Sequence, residues 1–197
     1  MDFLEYTKLI NQGLDSVDPN KYGEASSQLD LCMFHNNTIC IFGNGGSAAI
    51  ADHFVTDFVK GVRHDTKKLT SAVSLSSNAS LLTAIANDYG YDEIFSKQIE
   101  YENTDPNTDL LAIAVSSSGN SPNILKALET TIKLGIPSIA LVGFDGGKVL
   151  RNNMAETIIH VAVDNYGVVE DCHMMILHSL VQNIRTGYAK DPSAIRL

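Results

Sequence analysis

Blocks of strand-like and helix-like apolar patterning alternate along most of this chain. The strand-like runs are short, rich in β-branched residues, and followed by glycine, serine or asparagine; they cover residues 38–42, 69–75, 110–115, 138–142 and 157–163. The helix-like segments cover residues 47–60, 80–87, 93–100, 121–134 and 169–186. This alternation predicts an α/β fold, with a doubly wound five-stranded parallel sheet flanked by helices.

The first 35 residues carry a different pattern, with apolar side chains at helical spacing and no strand-like run. Phe3, Leu4, Ile10 and Leu14 follow the helical period, and Asp18-Pro19-Asn20 interrupts it. The pattern predicts two N-terminal helices within residues 1–35. The chain shows no repeat, low-complexity tract or linker, so we expect residues 1–197 to form a single domain.

Composition places the chain among globular proteins. It has 197 residues, 44% of them hydrophobic, and no apolar run of membrane-spanning length. Its first residues lack the basic and apolar regions of a signal peptide, so we expect a cytoplasmic protein without membrane association. The cysteines Cys32, Cys40 and Cys172 have no CxxC spacing and are expected to be reduced core residues.

The net charge of −9 disfavours nucleic acid as a partner, because binding to the phosphate backbone needs a clustered basic surface. The charge does not exclude a small anionic substrate. A local group of backbone N–H donors attracts phosphate whatever the charge of the whole protein.

Two predicted strand-to-helix turns have the composition of a phosphate site. One is Gly43-Asn44-Gly45-Gly46-Ser47; the other is the serine loop, residues 116–121, which precedes Pro122. Each would place backbone amides at a helix N-terminus, at the sheet edge where parallel folds bind ligands. Ser121 suits the N-cap position and Pro122 the first helical position. The alternative is a pair of ordinary capped helices.

Neither turn matches the glycine-rich signatures of nucleotide sites. The first lacks the Gly-Lys-Ser/Thr ending of a Walker A motif, and neither fits G-x-G-x-x-G. We therefore expect a phosphorylated small molecule as substrate, and no nucleotide cofactor.

Titratable side chains lie on two of the predicted helices. His53 and Asp57 are four residues apart, so on a helix they share a face and could bind a metal or transfer a proton; a surface ion pair is the alternative. Glu170 and His178 lie about 12 Å apart along a regular helix. Either that helix begins irregularly, or the two side chains serve different roles or different copies of a site. For His178 alone, a core histidine is the alternative.

With these residues in view, the chain resembles the SIS (sugar isomerase) fold, and within it the phosphoheptose isomerases. The resemblance covers almost the whole length: the glycine turn, His53, Ala86-Asn87-Asp88, the serine loop, Asp145-Gly146-Gly147-Lys148 and the late helix with His178. It implies a flavodoxin-like topology and a homotetramer in which the N-terminal helices pack together and active sites lie between subunits.

The resemblance also implies roles for individual residues. The substrate would be bound by Asn44, Gly45, Gly46, Ser47, Asp57, Asn87, Asp88 and Glu170, and its phosphate by Ser116, Ser117, Ser118 and Ser121. A polar centre of His53, Asp57, Glu170 and His178 could hold one zinc ion per subunit. His178 and Asp57 would transfer protons in an aldose–ketose isomerisation through an enediol. The implied reaction converts sedoheptulose 7-phosphate to D-glycero-D-manno-heptose 7-phosphate, a precursor of lipopolysaccharide and other surface polysaccharides.

The chain departs from the family pattern at two of these positions. Asp57 stands where the family usually has glutamate, and Glu170 where it usually has glutamine. Aspartate is shorter by about 1.5 Å, an error to which catalysis is sensitive. Glu170 adds a carboxylate that could compensate, or the two changes could alter substrate preference.

Other functions are compatible with the same fold. Some SIS relatives are non-catalytic tetramers that bind the bacterial replication initiator, but they lack counterparts of the acid at position 57 and the histidine at position 178. An isomerase of another sugar phosphate is a further alternative. A transcriptional sensor is disfavoured, because no DNA-binding module accompanies the SIS pattern.

Overall fold

A computed structural model describes residues 1–103, 109–189, 191 and 195. Its centre is one parallel sheet of five strands in the order β2-β1-β3-β4-β5. The strands are β1 Thr38–Gly43, β2 Ser71–Ser74, β3 Leu110–Ser116, β4 Ser138–Val142 and β5 Thr157–His160. This is the predicted doubly wound fold, with helices on both faces of the sheet.

Helices connect and cover the strands. They are α1 Phe3–Asp15, α2 Pro19–His35, α3 Gly46–Val55, α4 Arg63–Thr66, α5 Ala79–Tyr89, α6 Ser96–Glu102, α7 Pro122–Leu134, α8 Gly147–Arg151 and α9 Tyr166–Tyr188. The two predicted N-terminal helices are confirmed as α1 and α2. Asp18 is the N-cap of α2 and Pro19 its first residue, which explains the break in the pattern.

Two strands are shorter than the apolar pattern predicts. The edge strand β2 excludes Leu69, which is 70% exposed. β5 ends at His160, beyond which the Val163 amide donates to the Val161 carbonyl and the chain turns. The apolar run therefore begins before β2 and continues after β5.

The predicted helix at residues 47–60 changes its hydrogen-bonding pattern partway. α3 ends at Val55 and continues as a π-helical segment, Thr56–Val62, before α4. π-helical turns are rare and occur often at functional sites. The wider turn begins next to Asp57, a predicted site residue.

The predicted helix at residues 93–100 is also divided. A 3₁₀ turn, Tyr91–Glu93, precedes α6. The Ser96 hydroxyl, in the first residue of α6, donates to the Glu93 carbonyl of the 3₁₀ turn at 3.0 Å. α8 was not predicted, because a five-residue helix that begins at a glycine shows no helical period.

Alternating side chains of the strands fill a core on each face of the sheet. In β1, Ile39 and Ile41 face the core under α2, α3 and α9, whereas Cys40 and Phe42 face the core under α5, α6 and α7. α3 and α9 therefore pack side by side on the same face, together with α1.

The three cysteines are buried and free, as predicted. Burial raises the pKa of Cys32 and of Cys40 to about 12, so both are protonated thiols at neutral pH. Across the described ranges, we find no helix with the length and apolar character needed to cross a membrane.

Candidate active site

A cleft of about 120 Å³ opens at the carboxyl ends of β1 and β3, the point where the strand order reverses. Ligands of doubly wound sheets bind at this switch point. The cleft is lined by Asn44, Ser47, Val115, Ser116, Ser117, Ser118, Ser121, Tyr166 and Glu170. The structure thus brings the two predicted turns and Glu170 to one cavity.

The glycine turn follows β1 and opens α3. Gly45 has a φ of +57°, a conformation that favours glycine. Gly46 lies against Glu170 of α9, so closely that a Cβ at Gly46 would overlap the carboxylate. The N-terminus of α3, predicted to attract an anion, is therefore faced by a carboxylate of the protein itself.

The serine loop follows β3 and opens α7. Gly119 has a φ of +58° and packs so tightly on the Gly146 carbonyl that a side chain would not fit. The Gly143 amide donates to the Ser117 carbonyl at 2.9 Å, and the Lys148 amide to the Asn120 side chain at 3.0 Å. Residues 143–148 therefore hold the serine loop in place through these hydrogen bonds.

Two hydroxyls of the serine loop lack the hydrogen bonds to protein atoms that their positions would lead us to expect. Ser121 is the N-cap residue of α7, as predicted, but its side chain makes no capping hydrogen bond. The Ser117 Oγ is buried and has no hydrogen-bond partner among the described residues. A buried polar atom without a partner is costly, and a ligand oxygen in the cleft would satisfy it.

Asn44 is held by residues of two other elements. Its side-chain amide exchanges two 2.9 Å hydrogen bonds with Asn123, in the first turn of α7. The Tyr91 hydroxyl donates to the Asn44 Oδ1 at 3.2 Å. These bonds connect the glycine turn to the helix that follows the serine loop.

The second part of the site is a cluster of His53, Asp57 and His178, here called the His-Asp-His cluster. The Asp57 Oδ2 lies 3.3 Å from the Nε2 of His53 and 3.3 Å from the Nε2 of His178. The imidazole rings meet edge to face, with centroids 4.9 Å apart. Each side chain is partly exposed, so a ligand can reach all three.

Two consecutive elements and one distant helix position this cluster. His53 comes from α3, Asp57 from the π-helical segment and His178 from α9. An ion pair between Asp65 and the Arg185 Nε, 2.5 Å long and largely buried, holds α4, which follows the π-helical segment, against α9. The predicted contact of His53 and Asp57 is present, and His178 joins it.

The cluster has the donor set and spacing of a zinc site. Two imidazole nitrogens and a carboxylate oxygen lie within 4.8 Å of one another. Zinc ligands at about 2.0–2.1 Å in a tetrahedron are about 3.3 Å apart, which matches both nitrogen–oxygen distances. Three protein ligands would leave a fourth position open.

The remaining predicted residues lie elsewhere. Among the described residues, the group that could hold a metal does not include Glu170, which instead lies at the cleft beside Gly46. Because α9 is regular across its length, Glu170 and His178 contribute to different parts of the site. Asn87 and Asp88 are exposed on α5, bonded to each other at 2.9 Å, and do not line the cleft of this chain.

Asn123, Tyr91 and Tyr166 belong to the site but were not predicted. Asn123 and Tyr91 contact Asn44 from 79 and 47 residues away, and nothing local in the sequence indicates such a contact. Tyr166 lines the cleft at the start of α9 and packs edge to face on Phe144. One residue in the sequence did indicate this position. Asn165, directly before Tyr166, is of a type typical of helix N-caps, and in the structure it caps α9.

Comparison with known proteins identifies the family of this chain. Residues 5–143 match the family described as SIS domain. A phosphoheptose isomerase of Helicobacter pylori is 35% identical over 188 residues, 95% of this chain and 94% of the relative. One from Colwellia psychrerythraea is 41% identical over 164 residues, 82% and 81% of the two chains.

A solved structure supports the same assignment. The phosphoheptose isomerase GmhA of Neisseria gonorrhoeae superposes with a TM-score of 0.81 at 28% identity, over 93% of this chain and 95% of that one. The chain belongs to the phosphoheptose isomerase family of SIS-domain proteins, which are aldose–ketose isomerases.

Proposed function

We propose that this enzyme interconverts sedoheptulose 7-phosphate and D-glycero-D-manno-heptose 7-phosphate through an enediol, for the synthesis of surface heptose. The observation that carries the proposal is the His-Asp-His cluster, which places two imidazoles and a carboxylate on the same helices that border the serine cleft. The names of the relatives support the choice of a heptose phosphate.

The two parts of the site lie on the same pair of helices. Gly46 meets Glu170 at one end of the α3–α9 pair and His53 meets His178 at the other, about 10–12 Å along the helices. The sugar would extend from the cleft towards the His-Asp-His cluster.

The phosphate would bind in the serine loop. Ser116, Ser117, Ser118 and Ser121 offer hydroxyls there, and the N-terminus of α7 adds its partial positive charge. Phosphate oxygens would provide the missing partner of the Ser117 hydroxyl.

His178 and Asp57 would transfer the protons. One of them removes a proton from C1 of the ketose, giving an enediol, and a proton is then returned to C2 to give the aldose. The hydroxyl and carbonyl oxygens exchange a proton in the same sequence. The 3.3 Å contact lets Asp57 orient the His178 ring for this transfer.

His53, Asp57 and His178 are also the residues that would hold zinc. A bound zinc ion would polarise the sugar oxygens as a Lewis acid. The lone pair of the His178 Nε2 cannot bind zinc and accept a proton at once. Zinc ligation and proton transfer at this atom are therefore alternatives, and metal dependence distinguishes them.

The departures at positions 57 and 170 have a geometric account. Although shorter than glutamate, Asp57 reaches both imidazoles at 3.3 Å from the π-helical segment. Glu170 lines the cleft, where its carboxylate would accept hydrogen bonds from sugar hydroxyls. We infer that these changes retune the site and keep it functional.

We also propose a homotetramer built on the N-terminal helices. Phe3 and Leu4 of α1 and Leu31 and Phe34 of α2 are strongly exposed, a pattern typical of interfaces. Light scattering would test this proposal by measuring the mass of the purified protein in solution, which should be four times the mass of one chain. The three buried free thiols support a reducing compartment, the cytoplasm.

An isomerase assay on sedoheptulose 7-phosphate tests the proposed function. Purified protein is assayed as isolated, after chelation, and with zinc restored. Aldose formation in any of these conditions is the expected result, and loss on chelation with recovery on zinc would assign the cluster to metal binding. No aldose in all three, together with capture of the replication initiator, would favour the non-catalytic alternative.

A further inference from the structure

The Asn44 side chain has a fixed orientation that follows from one backbone donor. The Ile124 N–H donates to the Asn123 Oδ1 at 3.0 Å. The same N–H also donates to the Ser121 carbonyl. Because an N–H can only donate, this atom of Asn123 must be the oxygen. The other arm of Asn123 is therefore its NH₂ group, and it must face the carbonyl oxygen of Asn44.

The hydrogen-bonding capacity of Asn44 is then almost fully used. Its Oδ1 accepts from the Asn123 Nδ2 at 2.9 Å and from the Tyr91 hydroxyl at 3.2 Å, so both lone pairs are occupied. One N–H of its Nδ2 donates to the Asn123 Oδ1 at 2.9 Å. Within the described part of the chain, no acceptor takes the second N–H.

Asn44 lines the cleft that the serine hydroxyls of residues 116–118 and 121 also line. Its pairing partner Asn123 sits in the first turn of α7, next to the N-terminus at which we place the phosphate. The unused N–H is thus held near the anion subsite. A donor to a charged oxygen forms a stronger bond than one to a neutral oxygen.

We propose that Asn123, assisted by Tyr91, is a positioning residue that locks Asn44 as a hydrogen-bond donor to a phosphate oxygen of the substrate. The inference rests on the proposed function for the identity of the substrate, but the phosphate contact can be tested without turnover. Asn123 is 1% exposed and does not line the cleft, so it acts through Asn44.

A double-mutant cycle with inorganic phosphate as the probe tests this role. Calorimetric titration of the full chain compares the unmodified protein with Asn44→Ala, Asn123→Leu and the double variant. We expect the affinity for phosphate to fall about 10-fold in Asn44→Ala and about 5-fold in Asn123→Leu. The double variant should bind like Asn44→Ala, because without Asn44 there is nothing left to orient.

Two further variants separate positioning from folding. Thr131→Val removes a buried hydroxyl of the same helix, bonded only to the Leu128 carbonyl in the described structure, and should leave phosphate affinity unchanged. Tyr91→Phe spares α7 and should weaken phosphate binding about 2-fold, again only when Asn44 is present. These variants keep the test decisive if Asn123→Leu does not fold.

Several results would overturn the inference. They are failure of the unmodified protein to bind phosphate, unaltered affinity in Asn123→Leu, and a loss in Asn123→Leu that persists without Asn44. With sedoheptulose 7-phosphate, Asn123→Leu and Tyr91→Phe should raise KM, whereas the control Thr131→Val should not. An inactive protein that still shows the phosphate pattern would refute the proposed function alone; an active isomerase without the pattern would refute the inference alone.

Discussion

The glycine turn and the serine loop are alike in sequence and in place, yet only one of them is open to an anion. Both follow a central strand and begin a helix at the same sheet edge. The N-terminus of α3 is faced by the Glu170 carboxylate, whereas the serine loop presents hydroxyls, one of them buried without a partner among the described residues.

The difference teaches that a glycine-rich turn at a helix N-terminus does not by itself make a phosphate site. The side chains that pack against such a turn decide whether it can bind an anion, and here Glu170 of α9 places a carboxylate at the N-terminus of α3. The helix after the glycine turn instead continues to His53 and Asp57. We therefore assign phosphate binding to the serine loop and the chemistry to the end of the α3–α9 pair.

The largest expected effect is on turnover, from a change in the His-Asp-His cluster. His178→Ala should lower kcat about 1,000-fold, because it removes a proton-transfer group or a metal ligand, and should leave phosphate affinity unchanged. The exposed His64 on α4 offers the matched control, His64→Ala, with normal kcat expected. A His178→Ala protein with normal kcat would remove this residue from the mechanism.

Gly46→Ala tests the contact between Gly46 and the Glu170 carboxylate, which keeps anions away from the N-terminus of α3. A methyl group there would overlap the Glu170 carboxylate, so we expect a loss of about 2 kcal/mol in the free energy of unfolding. In a Glu170→Ala background the same change should cost little. Gly23→Ala, at a helical site with open space, serves as the control and should be neutral or stabilising. Equal costs with and without Glu170 would contradict the contact.

Much of the fold, and most of the residues that line the cleft, could be predicted from sequence because the signals are local. Continuous apolar runs mark the buried parallel strands, and the residues just after them lie at one sheet edge whatever the details of packing. The π-helical segment could not be predicted, since its hydrogen bonds depend on packing against α9.

The Asn44–Asn123 pair was missed for a related reason. Asn123 looks like an ordinary first-turn residue, and its partner lies 79 residues away. Glu170 shows the same limit: its spacing from His178 left open whether the two side chains share a site, and sequence could not show that Glu170 faces Gly46.

Acid should lower the stability of the fold through His173. His173 of α9 is fully buried, and burial lowers its pKa from 6.5 to about 4, although the Val142 backbone partly opposes this. The unfolded chain then binds more protons between about pH 6.5 and pH 4, so stability falls as the pH drops through that window.

Comparison with His173→Leu isolates this effect. Between pH 7 and pH 5, the unmodified protein should lose about 2 kcal/mol more unfolding free energy in urea titrations than the variant. Parallel pH profiles for the two proteins would show that His173 does not contribute.

The smallest expected effect comes from Ser117→Ala, in the serine loop. Loss of the buried hydroxyl should raise KM about 10-fold with little change in kcat. Because Ser117 Oγ has no partner among the described residues, unfolding free energy should stay constant or rise by up to about 1 kcal/mol. Ser27→Ala, on the exposed face of α2, is the control. A clear loss of stability in Ser117→Ala would mean that the hydroxyl has a structural partner.

Proton NMR of sedoheptulose 7-phosphate in D₂O, with the unmodified enzyme and with His178→Ala, tests the central claim most directly. The account predicts that the unmodified enzyme forms the aldose with solvent deuterium at C2, and that His178→Ala forms it about 1,000-fold more slowly. Failure to form the aldose with or without zinc, or equal rates for the two proteins, would contradict the assignment of chemistry to the His-Asp-His cluster.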